Sequence, residues 1–385
     1  MTIEKTVADF FAGIGLVTLG FERSGWNTIY AVDYSSEKLA LYTAQFGSVH
    51  YHLQDVHEVH GQDVPRVALA HASFPCTDLS VAGSRGGIRE GESSAFWEFV
   101  RILEEMKAEN RLPPILMLEN VEGLLTSQGG KDLVAVLESL TRLDYSVDMF
   151  LINASHFVPQ SRVRLFVIGA QVAPLTTRLE LETQLVRSGN ARPEKIKEFI
   201  RAHANLRWSL RSIPHLPSRS IDLSDIIDQD ADWWEEDRRD YLFNQMFDRH
   251  KKMLHQLVDD DRWTYATVFR RMRMRDGEKR STAEVRIDGV AGCLRTPKGG
   301  SARQIVVRVG KGKFDARLLN AKENARLMGA DDFNLPDNIS LNDALFGFGD
   351  AVCVPVVEWI AVNYLDPLFV ENAPRWGTMR INGTH

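Results

Sequence analysis

The protein has 385 residues, 44% of them apolar, and a formal net charge of −6 at pH 7. A chain of this length can bury one or two sizeable cores, so we expect a globular protein. No apolar stretch has the length of a bilayer span and the N-terminus lacks a signal pattern, which favours a cytoplasmic protein without membrane association. Its three cysteines are far apart and form no Cys/His cluster, which argues against a disulfide framework and a metal site.

Charge is distributed unevenly along the chain. Residues 262–313 contain 14 Lys and Arg against 4 Asp and Glu, whereas residues 222–240 contain 9 acids against 2 arginines. A basic block in an acidic protein is typical of a surface that faces phosphates, although a charged run is more often only a solvated face. Within this block we take Arg271 and Arg273 as candidate contacts to nucleic acid.

The N-terminal pattern is that of a βαβ nucleotide-binding unit. A strand is predicted over residues 6–10; a glycine turn with Gly13 and Gly15 follows, and a helix and second strand lead to Asp33. Asp33 lies 20 positions after Gly13, near the roughly 20-residue offset of an acid that binds ribose hydroxyls. Because Thr18 occupies the position of the third glycine of a dinucleotide site, S-adenosylmethionine fits this turn better than NAD.

A third predicted strand, residues 50–53, brings candidate contacts for an adenine ring. Asp55 follows this strand and can accept a hydrogen bond from the adenine amino group. Val56 and Tyr34 offer apolar faces to the ring. Each of the three also has an ordinary explanation, as a turn acid or a core residue.

Cys76 is the candidate nucleophile. The apolar run 67–70 predicts a buried strand, and a constrained Phe74-Pro75-Cys76 turn follows it. A thiol beyond the carboxyl end of such a strand is accessible to ligands, whereas a lone cysteine is more often a small core residue. A fifth strand, residues 115–118, ends at Glu119. A carboxylate in the corresponding position of a neighbouring strand favours Cys76 as a nucleophile over Cys76 as a core residue.

Polar or reactive groups thus follow five successive apolar strands that alternate with helices. Parallel strands that deliver such groups to one edge are typical of a Rossmann-like, doubly wound, mostly parallel α/β sheet. These groups are Asp9, Asp33, Asp55, Cys76 and Glu119.

Two further stretches lie near this edge. Residues 81–92 are rich in Gly, Ser and Arg, which predicts a mobile loop over the site. Arg162 and Arg164 precede a strand over 165–169 and share one face if this segment is extended. They are either a pair of donors for a carboxylate or phosphate, or two solvated arginines of an edge strand.

After residue 170 the alternation of strands and helices fails, and we place a second, smaller irregular domain there. The predicted domains are residues 1–171 with 340–385, and residues 172–339. Thr296, Lys298 and Arg303 lie in a loop-and-strand segment where they are available to phosphates.

The chain resembles the cytosine-C5 DNA methyltransferase family of bacterial and phage type. The matching stretches occur in the family's order: Asp9-Phe10-Phe11-Ala12-Gly13-Ile14-Gly15, Phe74-Pro75-Cys76, Glu119-Asn120-Val121, Gln160-Ser161-Arg162-Val163-Arg164 and Phe348-Gly349-Asp350-Ala351-Val352. The resemblance implies a catalytic domain that binds S-adenosylmethionine and releases S-adenosylhomocysteine, and a target-recognition domain. The sequence departs from the family at Asp350, where asparagine is usual, and at Thr77, where glutamine is frequent.

The resemblance also implies roles for single residues. Cys76 would add to C6 of a flipped-out cytosine and make C5 nucleophilic, while Glu119 would face N3. Arg164 would orient the base and the carboxylate, with Arg162 assisting. Phe11 and Pro75 join the residues expected to bind the cofactor; the further expected DNA contacts are Ser80, Arg85 and Gln160.

Three alternatives stay open at this point: the same chemistry on RNA, a catalytically inactive DNA-binding regulator, and a NAD-dependent oxidoreductase. We expect double-stranded DNA as partner, a monomer, association with the nucleoid through DNA, and no metal. The sequence does not decide which DNA sequence is recognised or whether a restriction endonuclease accompanies the protein.

Overall fold

The computed structural model of the protein describes residues 3–75, 95–275, 277–296 and 303–378. The predicted loop 81–92 lies outside these ranges, as do four predicted site residues: Cys76, Ser80, Arg85 and Lys298. The strands are β1 (Thr6–Phe10), β2 (Asn27–Asp33), β3 (Tyr51–Leu53), β4 (Leu69–Ala72), β5 (Ile115–Val121), β6 (Ser146–Asn153), β7 (Val163–Ala170), β8 (Thr264–Arg275), β9 (Glu278–Arg286), β10 (Ile305–Gly310) and β11 (Lys313–Leu318).

The α-helices follow the strands closely in the first half of the chain and cluster in its middle and at its end. They are α1 (Leu16–Arg23), α2 (Ser36–Phe46), α3 (Ala95–Ala108), α4 (Lys131–Arg142), α5 (Arg178–Val186), α6 (Glu194–Ala202), α7 (Leu223–Ile226), α8 (Glu236–Asn244), α9 (Asp248–Val258), α10 (Ala321–Leu327), α11 (Leu341–Asp350), α12 (Val354–Ile360) and α13 (Asp366–Thr378).

The chain divides into two compact units. The first comprises Met1–Asn153, Val163–Leu216 and Val356–His385, and the second comprises Ala154–Arg162 and Pro217–Pro355. These bounds differ from the predicted domains, because the first unit continues to Leu216 and the second unit includes Ala154–Arg162 and α11. The catalytic and target-recognition roles given to the domains stay predictions.

The first unit is built on a sheet in the order β3-β2-β1-β4-β5-β7-β6. The pairs that join β3, β2, β1, β4 and β5 are parallel, and β7 is antiparallel to both of its neighbours. All four residues of β4 and the first six of β5 are buried, as is typical of parallel strands covered on both faces. The predicted Rossmann-like, mostly parallel sheet is confirmed.

The register brings the carboxyl ends of the parallel strands to one edge. Phe10 pairs with Val32 on one side and with Ala72 on the other, and Ala72 pairs with Leu118. We call this edge, where β1 to β5 end, the carboxyl edge. It holds the turn after β1, the end of β2, the Phe-Pro turn after β4 and the last residues of β5.

The second unit contains an antiparallel sheet in the order β11-β10-β8-β9. Its core is formed by alternate residues of the sheet packed with residues of α8 and α9. The sequence analysis did not find this sheet, because the basic run in β8 hides an alternation of Arg and Met that has the period of a strand. Strand β8 pairs with β10 only as far as Val268, so the rest of β8 forms a two-stranded ribbon with β9.

One apolar segment departs from the expectation that no stretch has the length of a bilayer span. By length and composition, part of Leu341–Gly377 could cross a membrane, and 61% of that part is buried inside the protein. Burial of this kind is what a core helix of a globular protein shows, so the segment is weak support for a membrane span.

Candidate functional site

Asp33 anchors the glycine turn at the carboxyl edge. The N–H of Gly13 donates to Asp33 Oδ2 at 2.9 Å, and the N–H of Ser35 donates to Oδ1 at 2.9 Å. The carboxylate is buried, yet each oxygen retains a lone pair for a further donor. The turn after β1 and the end of β2 are therefore held together by the residue predicted to bind ribose.

Glycine is required in this turn for two separate reasons. Gly15 has a φ of 85°, which side chains rarely adopt, and a Cβ there would lie 2.4 Å from Phe46 and 2.8 Å from Tyr42. Phe11 also has a positive φ, 61°, which marks the strain in the bend. The backbone therefore approaches α2 too closely for any other residue at Gly15.

The predicted adenine contacts lie beside this turn. Tyr34 follows β2 and is 66% exposed, whereas Val56 is buried. Asp55 Oδ1 accepts the N–H of His57 at 3.0 Å, and this bond is the main reason that the pKa of Asp55 is lowered. Within the described part of the chain no donor reaches its other oxygen. An exposed ring and an ionised acceptor fit the adenosine end of S-adenosylmethionine.

Glu119 and Arg164 form an ion pair on adjacent antiparallel strands. Arg164 Nε lies 2.8 Å from Glu119 Oε1, because Arg164 pairs with Val121 across β5 and β7. The Glu119 side chain is only 8% exposed. Although the pair is within ionic contact, no N–H of a described residue is aligned to hydrogen-bond Oε1. A buried carboxylate oxygen without a hydrogen bond is ready to receive one from a ligand.

Asn120 is a residue of this site to which the sequence analysis gave no role. Its Nδ2 donates to the carbonyl oxygen of Phe74 at 3.1 Å, and its Oδ1 accepts the N–H of Val121 at 2.8 Å. The side chain therefore ties the end of β5 to the turn that leads to Cys76. Its place between Glu119 and Val121 in a family motif was the signal that could have identified it.

Arg162 does not share the surroundings of Arg164. Its guanidinium is buried in the second unit and donates to the carbonyl oxygens of Leu294, Gly349 and Ala351 at 3.1, 3.1 and 2.6 Å. The last two carbonyls flank Asp350, so Arg162 fixes the backbone at the position where the sequence departs from the family. Its predicted help in the chemistry stays a prediction, as does any role for Asp350.

Gln160 is also buried within the second unit. Its Nε2 donates to the carbonyl oxygen of Leu327 at 2.7 Å, and its Oε1 accepts the N–H of Leu294 at 3.1 Å. Both ends of the amide are thus used to join three segments of the unit. The DNA contact expected of Gln160 stays a prediction.

The remaining predicted DNA contacts lie in the second unit with different surroundings. Arg273 and Arg271 both face Glu284, with closest distances of 2.8 and 3.8 Å. Arg303 donates to the side chain of Asn342. Thr296 is half-buried, and its backbone lies so close to Gly349 that a Cβ on the glycine would be 2.5 Å from it.

Within the described residues, no group of three or more His, Cys, Asp or Glu side chains is arranged to hold a metal ion. The expected absence of a metal stays a prediction.

Comparisons with known proteins agree with the sequence motifs. A family model described as C-5 cytosine-specific DNA methylase matches residues 5–365. The type II methyltransferase M.Bsp6I of Bacillus sp. (strain RFL6) is 31% identical over 167 residues, which cover 42% of this chain and 51% of that protein. M.BanI of Aneurinibacillus aneurinilyticus is 31% identical over 219 residues, or 56% of this chain and 50% of that protein. The chain thus spans about half the length of these curated relatives.

Solved structures share the fold. The crystal structure of the Dnmt2 methyltransferase of S. pombe matches with a TM-score of 0.59 over 94% of this chain and 99% of that chain. The sequence identity is 15%, so this likeness concerns the fold alone.

Proposed function

The chain belongs to the C-5 cytosine-specific DNA methylase family, and from this we propose that it transfers a methyl group from S-adenosylmethionine to C5 of a cytosine in a specific duplex DNA sequence. The observation that carries the proposal is the buried Glu119–Arg164 pair, next to the strand that leads to Cys76. The names of the type II methyltransferase relatives support a role in DNA modification beside a restriction endonuclease.

The cofactor would be held at the carboxyl edge. Bound S-adenosylmethionine supplies an electrophilic methyl group. Asp33 has lone pairs for the ribose hydroxyls, Tyr34 has an exposed ring for stacking, and Asp55 has an acceptor for the adenine amino group. Gly15 lets the turn lie against Tyr42 and Phe46 of α2, and the N–H of Gly13 ties the turn to Asp33, so the backbone beside the cofactor would be fixed.

Cys76 would activate the cytosine ring. Its thiolate forms a bond to C6, and the electrons of the C5–C6 double bond move into the ring, so that C5 becomes nucleophilic. At the end of the reaction the C5 proton leaves to a base, for which water is suitable, and the C6–S bond breaks to return the thiolate. The hydrogen bond from Asn120 to Phe74 would position the turn for the first step.

Glu119 would supply the proton or hydrogen bond that N3 of the cytosine needs. Electron density increases on the ring as the thiolate adds, so a proton or a strong hydrogen bond is needed at N3. Glu119 Oε1 is buried and lacks a hydrogen bond among the described residues, so it can carry this proton. Arg164 would hold the carboxylate in place before the base arrives.

The target cytosine would have to leave the double helix, because C6 is inaccessible in a stacked duplex. Flipping the base costs roughly a few kcal/mol, which contacts with the protein must offset. The basic stretch 262–313 of the second unit would supply contacts to the duplex backbone, and this favours DNA over a single-stranded RNA loop as substrate.

Bisulfite sequencing of plasmid DNA from cells that express the protein tests the proposal, with a Cys76→Ala variant as control. We expect protected cytosines in one short sequence context, and none with the variant. Protection that is absent from both samples contradicts the DNA assignment and makes RNA the next acceptor to assay. A covalent adduct with 5-fluorocytosine DNA separates an active enzyme from an inactive DNA-binding regulator.

A further inference from the structure

The second unit contains a cavity of about 420 Å³, and five of the thirteen residues that line it are arginines. It lies where the ribbon of β8 and β9 meets α9 and the segment around residue 295. Its arginines are Arg249, Arg270, Arg271, Arg286 and Arg295, and its one carboxylate is Glu284. We refer to it as the arginine cavity.

Two of the five arginines are neutralised by acids. Arg271 shares Glu284 with Arg273, which lies further along β8, and Arg286 pairs with Asp288 at 2.6 Å. Arg271 is also stacked on the ring of Phe269 at 4.4 Å, so its guanidinium is held as a fixed plate. The charges of Arg271 and Arg286 are thus balanced by acids.

The other three arginines have no such compensation. Within the described ranges, no carboxylate lies within ion-pair distance of Arg249, Arg270 or Arg295. Arg270 is half-buried, whereas Arg249 and Arg295 are exposed, so solvent screens part of their mutual repulsion. The cavity keeps a surplus of positive charge, which favours the entry of an anion.

Arg270 gives the strongest indication of such an anion. Its Nε is buried and has no hydrogen-bond partner among the described residues. Burial lowers the pKa of Arg270, which means that the surroundings disfavour its charge. A buried donor without a partner is unfavourable, so Arg270 has an N–H available for an anion that enters the cavity.

We propose that the arginine cavity binds a phosphodiester group of the duplex substrate. The assignment of the anion to DNA rests on the proposed function. A phosphodiester carries one charge and two non-bridging oxygens, which suits planar guanidinium groups that donate two N–H bonds each.

The neighbouring ribbon identifies a strand of DNA, rather than a small anion, as the source of the phosphate. Beyond its last pairing with β10 at Val268, β8 continues beside β9, and both strands carry exposed cations: Arg273 on β8, and Lys279 and Arg280 on β9. Cations that continue from a cavity along a ribbon match a polymer with regularly spaced charges. The sequence analysis selected Arg271 and Arg273 of this region, which have an acid partner, and missed Arg249, Arg270 and Arg295.

The salt dependence of DNA binding tests the proposal in the full-length protein. The variants are Arg270→Gln and Arg295→Gln. Fluorescence anisotropy with a labelled random-sequence duplex gives the Kd of each protein at salt concentrations from about 0.05 to 0.3 M. Arg295 is exposed, so its replacement leaves the fold intact. The slope of log K against log salt is negative, and for each variant we expect it to become less negative by about 0.9. This change corresponds to an affinity loss of about tenfold at 0.1 M salt.

The matched control is Arg201→Gln, which changes the net charge equally but lies on α6 in the first unit, paired with Glu182 and Glu194. Slopes of both cavity variants equal to that of the unmodified protein overturn the proposal. An equal fall in the Arg201 variant also overturns it, because only net charge would then matter. Loss of affinity for inorganic phosphate without any change in duplex binding would assign the cavity to a small anion instead.

Methyl transfer measured on the same preparations separates this proposal from the proposed function. If the unmodified protein transfers no methyl group but the cavity variants lower the slope, the cavity assignment stands without the methylation. If methylation is present and the slopes do not change, the cavity assignment alone is wrong.

Discussion

At the carboxyl edge of the first unit Arg164 and Asp33 have partners, whereas the arginine cavity is lined by three cations that lack an acid partner among the described residues. Arg164 lies against Glu119, and Asp33 accepts two backbone N–H groups. Arg249, Arg270 and Arg295 have no acid within ionic contact among the described residues. The two regions therefore differ in how charge is balanced before a ligand arrives.

This difference corresponds to two kinds of task. A site that moves protons and makes bonds needs its groups fixed beforehand, because reorganisation during the reaction would add to the barrier. A surface that binds a polyanion gains its affinity by releasing counterions, so it benefits from cations that are not neutralised internally. The structure pairs charges where we propose chemistry and leaves them unpaired where we propose DNA binding.

The largest effect is expected from Glu119→Gln, which leaves Arg164 without its carboxylate. The carboxyl edge would then hold an arginine without an acid partner, as the arginine cavity does. Because the amide cannot donate the N3 proton as an acid does, methyl transfer in a single turnover should slow by about 10²- to 10⁴-fold. Duplex affinity should change little. Glu122→Gln, three residues further on and exposed beside Lys195, is the control. Transfer at the original rate would remove Glu119 from the mechanism.

The rigidity of the carboxyl edge is tested by comparing Gly15→Ala with Gly25→Ala. Both glycines have a positive φ, 85° and 77°, so each alanine should cost about 1–2 kcal/mol in backbone strain. At Gly15 the new Cβ also meets Phe46 and Tyr42, whereas at Gly25 nothing lies within 4 Å. We expect an additional loss of about 1–3 kcal/mol at Gly15, measured by urea unfolding. Equal losses would mean that α2 moves away without cost.

In the cavity, removal of an acid should increase DNA binding. Glu284→Gln releases Arg271 and Arg273 and leaves the cavity without a carboxylate. If one more phosphate is then neutralised, affinity for a random-sequence duplex should rise up to about tenfold at 0.1 M salt. Glu182→Gln, on α5 in the first unit beside Arg201, is the matched control. A fall in affinity would show that Glu284 positions the arginines instead.

The smallest effect concerns Asp55, whose charge is set by a backbone N–H. Its pKa in the folded protein lies below the usual 3.8, so its ionised form stabilises the fold above that pH, and this contribution is lost as the pH falls further. Because the side chain is half exposed, Asp55→Asn should lower the free energy of unfolding at pH 7 by less than about 1 kcal/mol. Urea unfolding at pH 7 and at pH values below 3.8 should show the difference shrinking. A difference that is constant with pH would contradict this origin.

Much of the carboxyl edge could be predicted from the sequence. Parallel strands that are buried on both faces give uninterrupted apolar runs, and polar groups follow such runs directly, so the places of Asp33, Asp55 and Glu119 at this edge could be predicted. The second sheet was missed because most of β8 beyond Val268 is an exposed ribbon with few apolar residues, although its alternation has the period of a strand.

The sequence by itself determined the order of the first unit's strands and helices, the glycines of its first turn and the residues that follow its strands. Only the tertiary structure decided which side chains meet. Asn120 and Phe74 are 46 positions apart, and Arg162 reaches Gly349 across 187 positions. The tertiary structure also gives Arg162 and Arg164 different surroundings, although the strand period had placed them on one face. It brings arginines from α9, β8 and the segment near residue 295 around one cavity. Local patterns are set by backbone geometry and burial, which neighbouring residues encode, whereas these contacts depend on how distant segments pack.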